Sequence, residues 1–212
     1  ARAGRPAGAC ALLAVVKQAD NATVAAAHAA GLRAFAENRV QPLAARPAAL
    51  RALGRWHLIG PLQGNKVGKA VALIDEFHAL DRAELLQPLR RALTGRERPL
   101  RTWLQVNVAA EPQKHGVAPD QAAALAAAAA ALPGLELAGL MTMAPLVADP
   151  EQARPTFDRL RDLAAALLRS GALPDGATGL SMGMSADFEV AAEAGATVVR
   201  IGSALFRDDG PC

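Results

Sequence analysis

Short apolar runs alternate with longer stretches rich in alanine, leucine and arginine, and this alternation repeats eight times along the chain. Runs of leucine, valine and isoleucine predict strands that are buried on both faces, and the stretches between them predict helices. The predicted strands are 11–17, 32–36, 55–60, 73–80, 100–108, 135–142, 178–182 and 196–201. The predicted helices are 21–30, 38–53, 65–71, 82–94, 119–131, 150–171 and 186–194.

Alternating strands and helices are typical of a parallel sheet that is covered by helices. Eight such units in 212 residues predict an α/β fold of the (β/α)8 or TIM barrel type, near its lower size limit. An open doubly wound sheet is the alternative, but no Gly-x-Gly-x-x-Gly turn follows the first strand. No linker or change in composition divides the chain, so we expect a single barrel domain over 1–212. Residues 202–212 are expected to be too short for a final helix.

Composition argues against several classes of partner. The net charge is only +3, aromatic residues make up 3% and tyrosine is absent, so no nucleic-acid partner is expected. The alanine-rich stretch 122–131 is too short to cross a bilayer and predicts a helix of a soluble protein. Cys10 and Cys212 lie near opposite ends of the chain, which fits neither a disulfide framework nor a metal motif. These features favour a cytoplasmic protein.

In a TIM barrel, functional residues lie at the carboxyl ends of the strands. Those positions carry a lysine, amides, hydroxyls and an arginine, with neither a pair of carboxylates nor a cluster of metal ligands. No metal site is therefore expected. The polar ring comprises Lys17, Glu37, Asn38, His57, 60–65, Asn107, Met141, Thr142, 181–185 and 200–203.

Lys17 ends the first predicted strand, in the segment LLAVVKQ, and is one of only four lysines in the chain. Burial of an amine in apolar surroundings lowers its pKa and makes the free base available to form a Schiff base. The alternative is an ordinary exposed lysine at the end of a strand. The position of Lys17 in the ring favours the first interpretation without deciding between them.

Two neighbouring segments predict an anion site. In VVRIGSALF (198–206), Gly202 and Ser203 follow the last strand and can offer backbone N–H groups and a hydroxyl to a phosphate. In LSMGMSADFEVA (180–191), a helix is expected to begin at about Ser185. The loops after strands seven and eight are the usual phosphate site of such barrels. Each segment alone is equally compatible with a tight turn or a helix cap.

A Schiff-base lysine opposite a phosphate site suggests pyridoxal 5′-phosphate (PLP), the active form of vitamin B6. Arg200, two residues before Gly202, is the candidate partner of the pyridine nitrogen. An arginine there leaves the nitrogen unprotonated, so the ring withdraws electrons poorly. Transamination and decarboxylation are therefore disfavoured, whereas binding, transfer and racemisation remain possible.

Several segments resemble the pyridoxal phosphate homeostasis protein family, also known as the YggS or PROSC family. The resemblance extends in order from about residue 11 to residue 206. The segments are LLAVVKQ, FAENRVQ (35–41), WHLIGPLQGNK (56–66), LQVNVAAEPQKHGV (104–117), GLMTMAP (139–145) and LSMGMSADFEVAAEAGATVVRIGSALF (180–206).

The resemblance implies the type III fold of PLP enzymes, related to the N-terminal domain of alanine racemase, with PLP held covalently by Lys17. It also implies the roles of the remaining site residues: the arginine contacts the pyridine nitrogen, and the last turn and the preceding Ser-Met-Gly-Met-Ser segment lie beside the phosphate. The implied cofactor-binding residues are Lys17, Asn38, His57, Ser181, Met182, Ser185, Arg200, Gly202 and Ser203.

This chain departs from the family pattern at a few positions. Arg39 stands where the family usually has tyrosine, and Arg207 where it usually has glycine. Only ten residues precede Ala11, so the helix that normally precedes the first strand is expected to be missing or shortened. Pro42 and Pro47 fall inside the helix predicted over 38–53 and make its start uncertain. None of these departures affects the expected cofactor residues.

Two functions are open. The first is a PLP-binding homeostasis protein that regulates or delivers PLP, with PLP-dependent apo-enzymes as recipients, without robust catalysis of its own. The second is a single-domain amino-acid racemase. The related two-base racemase uses a tyrosine from a second domain, and this chain has neither, although His57 or Lys66 could act as acid or base. The first function is favoured, for a monomer or weak dimer.

The other conspicuous residues have simpler interpretations. His78 is predicted to lie in a buried strand, with no ligand partner in range by sequence, and Trp56 and Trp103 are predicted to pack in the core. Lys114 and His115 are predicted to lie in a solvated turn near the ring. Lys66, which opens a predicted helix, could receive PLP in transit.

Overall fold

Eight parallel strands close into a barrel in the order of the sequence. The computed structural model describes residues 3–111 and 113–206. The strands are β1 (Ala11–Val15), β2 (Ala34–Glu37), β3 (Arg55–Leu58), β4 (Glu76–Leu80), β5 (Leu100–Gln105), β6 (Leu135–Met141), β7 (Gly179–Ser181) and β8 (Val198–Ile201). Pairing of β1 with β8 closes the barrel, with Leu13 opposite Arg200. The predicted α/β barrel is confirmed.

Helices follow the strands on the outside of the barrel. Those in the described residues are α1 (Asn21–Ala29), α2 (Val40–Ala45), α3 (Ala48–Arg51), α4 (Val67–Val71), α5 (Leu86–Leu93), α6 (Ala122–Ala130), α7 (Arg154–Arg169), α8 (Phe188–Glu193) and α9 (Ser203–Phe206). Short 3₁₀ turns precede four of them, at Gly64–Lys66, Ala83–Leu85, Pro119–Gln121 and Pro150–Ala153.

The helix predicted over 38–53 is divided in two. α2 ends at Ala45 and α3 begins at Ala48, with Arg46 in an extended conformation between them (ψ 140°). A residue before proline is pushed out of the helical region by the proline ring, and Pro47 follows Arg46. The interruption turns the Arg46 side chain towards the barrel, where it takes part in the site described below.

Two other expectations were wrong. The helix expected to begin at about Ser185 begins at Phe188, because Asp187 is not helical and its carboxylate accepts a bond from the N–H of Met184. A final helix was not expected, yet the one-turn helix α9 follows β8 directly. Arg207 and Cys212 lie outside the described residues.

The core lies in two layers, one inside the barrel and one between the strands and the helices. Trp56 and Trp103 are both about 2% exposed, which confirms that they pack in the core. Trp103 stacks on His78, with ring centroids 5.0 Å apart. In the part of the chain that is described, no helix is both long enough and apolar enough to span a membrane.

Gly139 allows strands β6 and β7 to approach closely. Its φ is +146°, and a Cβ at this position would lie 1.9 Å from the carbonyl oxygen of Gly179. We expect Gly139→Ala to lower the free energy of unfolding by about 3 kcal/mol or more, because backbone strain and a steric clash add. Urea denaturation followed by circular dichroism measures the change. Gly176→Ala is the matched control, since nothing lies within 4 Å of that Cβ position; equal stability of the two variants would contradict the prediction.

Candidate functional site

A cavity of about 440 Å³ opens at the carboxyl ends of the barrel strands. We call it the lysine cleft, because Lys17 lies in its wall. Six of the nine residues implied by the sequence as cofactor-binding line it, and they come from β8, the start of α9 and loops that are far apart in the sequence. These residues are Lys17, Asn38, Ser185, Arg200, Gly202 and Ser203.

A wider cleft of about 1100 Å³ adjoins the lysine cleft and shares Asn38, Pro61 and His115 with it. Lys66, which the sequence suggested as a transit residue, lines this wider cleft. The lysine cleft remains the better candidate for the functional site, because it alone of the two combines Lys17 with Arg200 and the turn after β8.

Lys17 lies two residues beyond the end of β1 and is exposed to solvent. Val15 and Val16 just before it are buried, so the apolar strand stops and the lysine emerges at the rim of the barrel. Lys17 is therefore not buried in apolar surroundings, contrary to the expectation from the sequence. Lys17 remains the candidate for a Schiff base because it lies in the cleft wall, opposite a cluster of hydrogen-bond donors.

A buried arginine fixes the loop that carries Lys17. Arg46 donates to Glu37 Oε1 from both Nε (3.0 Å) and Nη2 (2.7 Å). Nη2 also donates to the carbonyl oxygens of Val16 (2.8 Å) and Ala19 (3.2 Å), which flank Lys17 in the sequence. Glu37 and Arg46 are only 1% and 8% exposed. Sequence reasoning missed Arg46, since its helix was not expected to break.

The turn after β8 gathers backbone donors around one point. The hydroxyl oxygen of Ser185 accepts from the N–H groups of Gly202 (3.3 Å) and Ala204 (3.2 Å). A Cβ on Gly202 would lie 3.1 Å from the carbonyl oxygen of Val15, so glycine lets the turn pack against β1. Two N–H groups that converge on one oxygen are an arrangement that suits an anion.

Arg200 lies at the base of the lysine cleft and is 3% exposed. Its Nη1 donates to Ser181 Oγ and its Nη2 to the carbonyl oxygen of Thr142, each at 2.8 Å. Burial lowers the pKa of Arg200 to about 10, an effect that Asp187 opposes. The guanidinium therefore stays charged at neutral pH and is held from below by two acceptors.

The remaining three residues implied by the sequence, His57, Ser181 and Met182, lie beneath the lysine cleft among the buried residues and outside its lining. Ser181 contacts Arg200 directly. His57 is further away, because His78 lies between it and Ser181. Their assignment as cofactor-binding residues thus stays a prediction, and the contacts in this structure support an indirect role through Arg200.

His78 lies buried in β4, as predicted, and both nitrogens of its ring have partners. Its Nε2 lies 3.0 Å from Nδ1 of His57, and its Nδ1 lies 3.1 Å from Ser181 Oγ. Burial lowers the pKa of His57 to about 3, helped by His78, and burial lowers the pKa of His78 to about 4. Both rings are therefore neutral at pH 7. The sequence signal was the pair Glu76 and His78, two residues apart on one face of β4.

Glu76 completes a group of three buried residues of the kinds that bind metals, since its carboxylate lies 3.6 Å from both His57 and His78. The contacts fit hydrogen bonding better. Glu76 Oε2 accepts from Trp103 Nε1 at 2.9 Å and Oε1 accepts from Arg101 at 3.2 Å. The two histidines already bond to each other, and the neighbouring guanidinium groups would oppose a divalent cation.

His115 reaches the rim of both clefts. Its ring is 59% exposed, as predicted for a solvated turn, and its backbone is held by Gln105, whose amide donates to the His115 carbonyl oxygen at 3.0 Å. Lys114 instead pairs with Glu111 at 2.6 Å. Sequence reasoning singled out neither Gln105 nor Phe206, both of which line the lysine cleft.

Comparisons with known proteins cover nearly the whole chain. A family model described as "Alanine racemase, N-terminal domain" matches residues 1–209. The pyridoxal phosphate homeostasis protein of Pseudomonas aeruginosa is 43% identical over 211 residues, which are 98% of this chain and 89% of that protein. The protein of the same name from Aquifex aeolicus is 39% identical, over 97% of this chain and 90% of the relative.

Solved structures also match nearly the whole chain. The structure of PipY from Synechococcus elongatus with PLP bound has a TM-score of 0.87 and 36% identity, and the match covers 97% of this chain and 96% of PipY. The alanine racemase of Corynebacterium glutamicum has a TM-score of 0.71 at 16% identity, and the match covers 96% of this chain and 56% of the racemase. The second likeness concerns the fold alone.

Proposed function

Because the chain belongs to the pyridoxal phosphate homeostasis protein family, within the alanine racemase N-terminal domain family, we propose that it binds PLP in the lysine cleft and regulates or delivers PLP in the cytoplasm. The observation that carries the proposal is the placement of a lysine, a buried arginine and converging backbone donors around one cavity. The PLP-bound structure of a relative that is 36% identical supports it.

The cavity and its donors fit the cofactor. A volume of about 440 Å³ lies within the usual range for small-molecule sites. The phosphate needs several donors, and the N–H groups of Gly202 and Ala204 already converge on an oxygen atom, that of Ser185. The aromatic ring needs apolar walls, which Val15, Ile59 and Met143 supply.

Each residue then has a distinct role in binding. PLP brings an aldehyde, which condenses with an amine with loss of water, and Lys17 supplies that amine. Arg200, held by Ser181 and by the backbone of Thr142, directs a charged donor at the ring nitrogen. Ser185, Ser203 and the backbone of Gly202 receive the phosphate, and Asn38 lies at the mouth between the two clefts.

A substitution at Ser185 tests whether this side chain binds the phosphate of the cofactor. We expect Ser185→Ala to weaken PLP binding about tenfold, because a hydrogen bond to a charged group is lost. Binding of pyridoxal, which lacks the phosphate, should change little. Absorption titrations with both compounds measure the two dissociation constants.

The control for this prediction is Ser170→Ala, which removes an exposed hydroxyl at the end of α7. Its PLP affinity should equal that of the wild type. Equal weakening of PLP and pyridoxal in Ser185→Ala would assign Ser185 to the ring instead of the phosphate.

The lysine cleft offers little for catalysis by proton transfer. The titratable side chains among the described residues that line it are Lys17, His115 and Arg200, and Arg200 stays charged at neutral pH. His57 is buried and neutral, Lys66 lines the wider cleft, and the sequence has no tyrosine. Two-base racemisation is therefore the less favoured function, and we propose a protein without robust catalysis.

The test is to load the purified protein with PLP and to follow its visible absorption and the reactivation of a PLP-dependent apo-enzyme. We expect a yellow protein that restores activity to the apo-enzyme, with no racemisation of alanine above the background of Lys17→Ala. A protein that stays colourless with excess PLP would refute the proposal. Racemisation that disappears in Lys17→Ala would instead favour the racemase. The recipients are proposed to be such apo-enzymes, and the protein a monomer or weak dimer.

A further inference from the structure

Polar side chains cross the inside of the barrel from its amino-terminal mouth to the lysine cleft. Each of them contacts the next, and all but the one at the mouth are buried, whereas the interior of a TIM barrel is usually filled with layers of apolar side chains. We call this set the barrel chain: Arg101, Glu76, His57, His78, Ser181 and Arg200.

The charge of Arg200 gives the upper part of the chain a direction. A guanidinium only donates, so Ser181 Oγ accepts from Arg200 at 2.8 Å. The hydroxyl proton of Ser181 is then available for Nδ1 of His78, at 3.1 Å. His78 consequently carries its proton on Nε2 and donates to Nδ1 of His57 at 3.0 Å. In this arrangement each of the three contacts between Arg200 and His57 pairs one donor with one acceptor.

Glu76 stabilises the lower part of the chain. Its carboxylate lies 3.6 Å from Nε2 of His78, close to the N–H that this arrangement requires. Arg101 and Trp103 hold the carboxylate in place through its two oxygens. A third cavity, of about 380 Å³, at the opposite mouth of the barrel, is lined by His57, Glu76 and Arg101. Nε2 of His57 is buried, and no described residue partners it.

We propose that His78, supported by His57 and Glu76, is a positioning residue that fixes Ser181 and, through it, the guanidinium of Arg200 against the bound cofactor. The proposal rests on the proposed function for the identity of that cofactor. The contacts within the barrel chain do not depend on the identity of the cofactor. Apolar side chains could fill the same space without the free-energy cost of burying polar groups. A role in positioning Arg200 explains why the barrel chain is polar instead.

Two substitutions at one position separate positioning from packing. His78→Leu fills the space and removes both ring nitrogens, whereas His78→Asn keeps a polar atom near the position of Nδ1 and hence the contact with Ser181. Phe77→Leu is the control, because Phe77 is fully buried on the same strand but faces away from the chain. All samples are treated with a chelator beforehand, so that a trace metal cannot contribute.

On PLP-loaded protein, we expect His78→Leu to release the cofactor about tenfold faster and to move the pH profile of its absorption by about one unit. His78→Asn should stay close to the wild type in both. Phe77→Leu should lower thermal stability without either change. In the double variant of His78→Leu and Ser181→Ala, the effects should not add, since the two residues act through one contact. Wild-type release and pH profile in a folded His78→Leu would overturn the proposal.

A measurement without PLP tests the chain separately. Nitrogen-15 NMR of the histidine rings in the unloaded protein should show His57 and His78 neutral, each with one tautomer, from pH 8 to pH 5. Ser181→Ala should shift the Nδ1 signal of His78. If the Nδ1 signal of His78 does not change in Ser181→Ala, the proposed hydrogen bonds of the barrel chain are refuted, even if PLP binds. Failure of the wild type to bind PLP would refute the proposed function and leave the NMR result to decide whether Arg200 is held in this way.

Discussion

Lys17→Ala is expected to abolish both the yellow colour of the PLP-loaded protein and the trapping of PLP by borohydride. Lys17 is the only one of the chain's four lysines in the lining of the lysine cleft. Without its amine no covalent bond to the aldehyde can form there. Arg200 and the donors of the turn after β8 remain, so weak, non-covalent binding should persist. Absorption spectra and peptide mass spectrometry after reduction measure the two effects.

Lys69→Ala is the matched control, because Lys69 is exposed on α4 and lines neither cleft. Its spectrum should equal that of the wild type. Trapping at a residue other than Lys17 in the wild-type protein would show that the covalent site lies elsewhere, and trapping on Lys66 in Lys17→Ala would mark the wider cleft as a second position for PLP.

Glu37→Ala is expected to lower the free energy of unfolding by about 3–5 kcal/mol, since it leaves the charge of Arg46 buried without its partner. The variant should also bind PLP more weakly. Arg46 holds the carbonyl groups of Val16 and Ala19, so the loop that carries Lys17 loses its anchor when Arg46 moves. Denaturant unfolding and a PLP titration on the same protein measure both effects.

Asp158→Ala removes a carboxylate from an exposed pair with Arg161 and should cost less than about 1 kcal/mol. The double variant Glu37→Ala with Arg46→Leu should recover part of the stability, because no unpaired charge is left in the core. Its PLP binding should stay impaired, since the anchor of the loop is still missing. Normal binding in the double variant would mean that the Glu37–Arg46 pair serves stability alone.

The architecture was readable from local patterns. Runs such as LLAVV are apolar enough to be buried on both faces, and the regular alternation of strands with helical stretches allows few folds besides a barrel. Positions at strand ends follow directly, so Lys17, Arg200 and Gly202 were placed at one rim. Helix ends were predicted less well, because single contacts such as that of Asp187 with Met184 decide them.

The barrel chain and the contacts of Arg46 with the loop that carries Lys17 were not predictable in the same way. His57 and His78 belong to different strands, and Ser181 is 103 residues beyond His78 in the sequence. A pattern of alternating residues shows that Glu76 and His78 share a face of β4, but it does not show what faces them across the barrel. Arg46 was missed for a similar reason, because its partners Val16 and Ala19 are reached only across the barrel rim.

The sequence by itself determined the fold, the position of the lysine and the family, because buried strands, glycine turns and short motifs depend on residues that are close in the chain. Only the tertiary structure decided which polar groups meet. Closure of the barrel brings eight strands around one axis, and the partners of a buried charge or imidazole then depend on the register between strands. Buried polar groups are stabilised by partners in that space, and such contacts hold Arg200 and the loop of Lys17 in place.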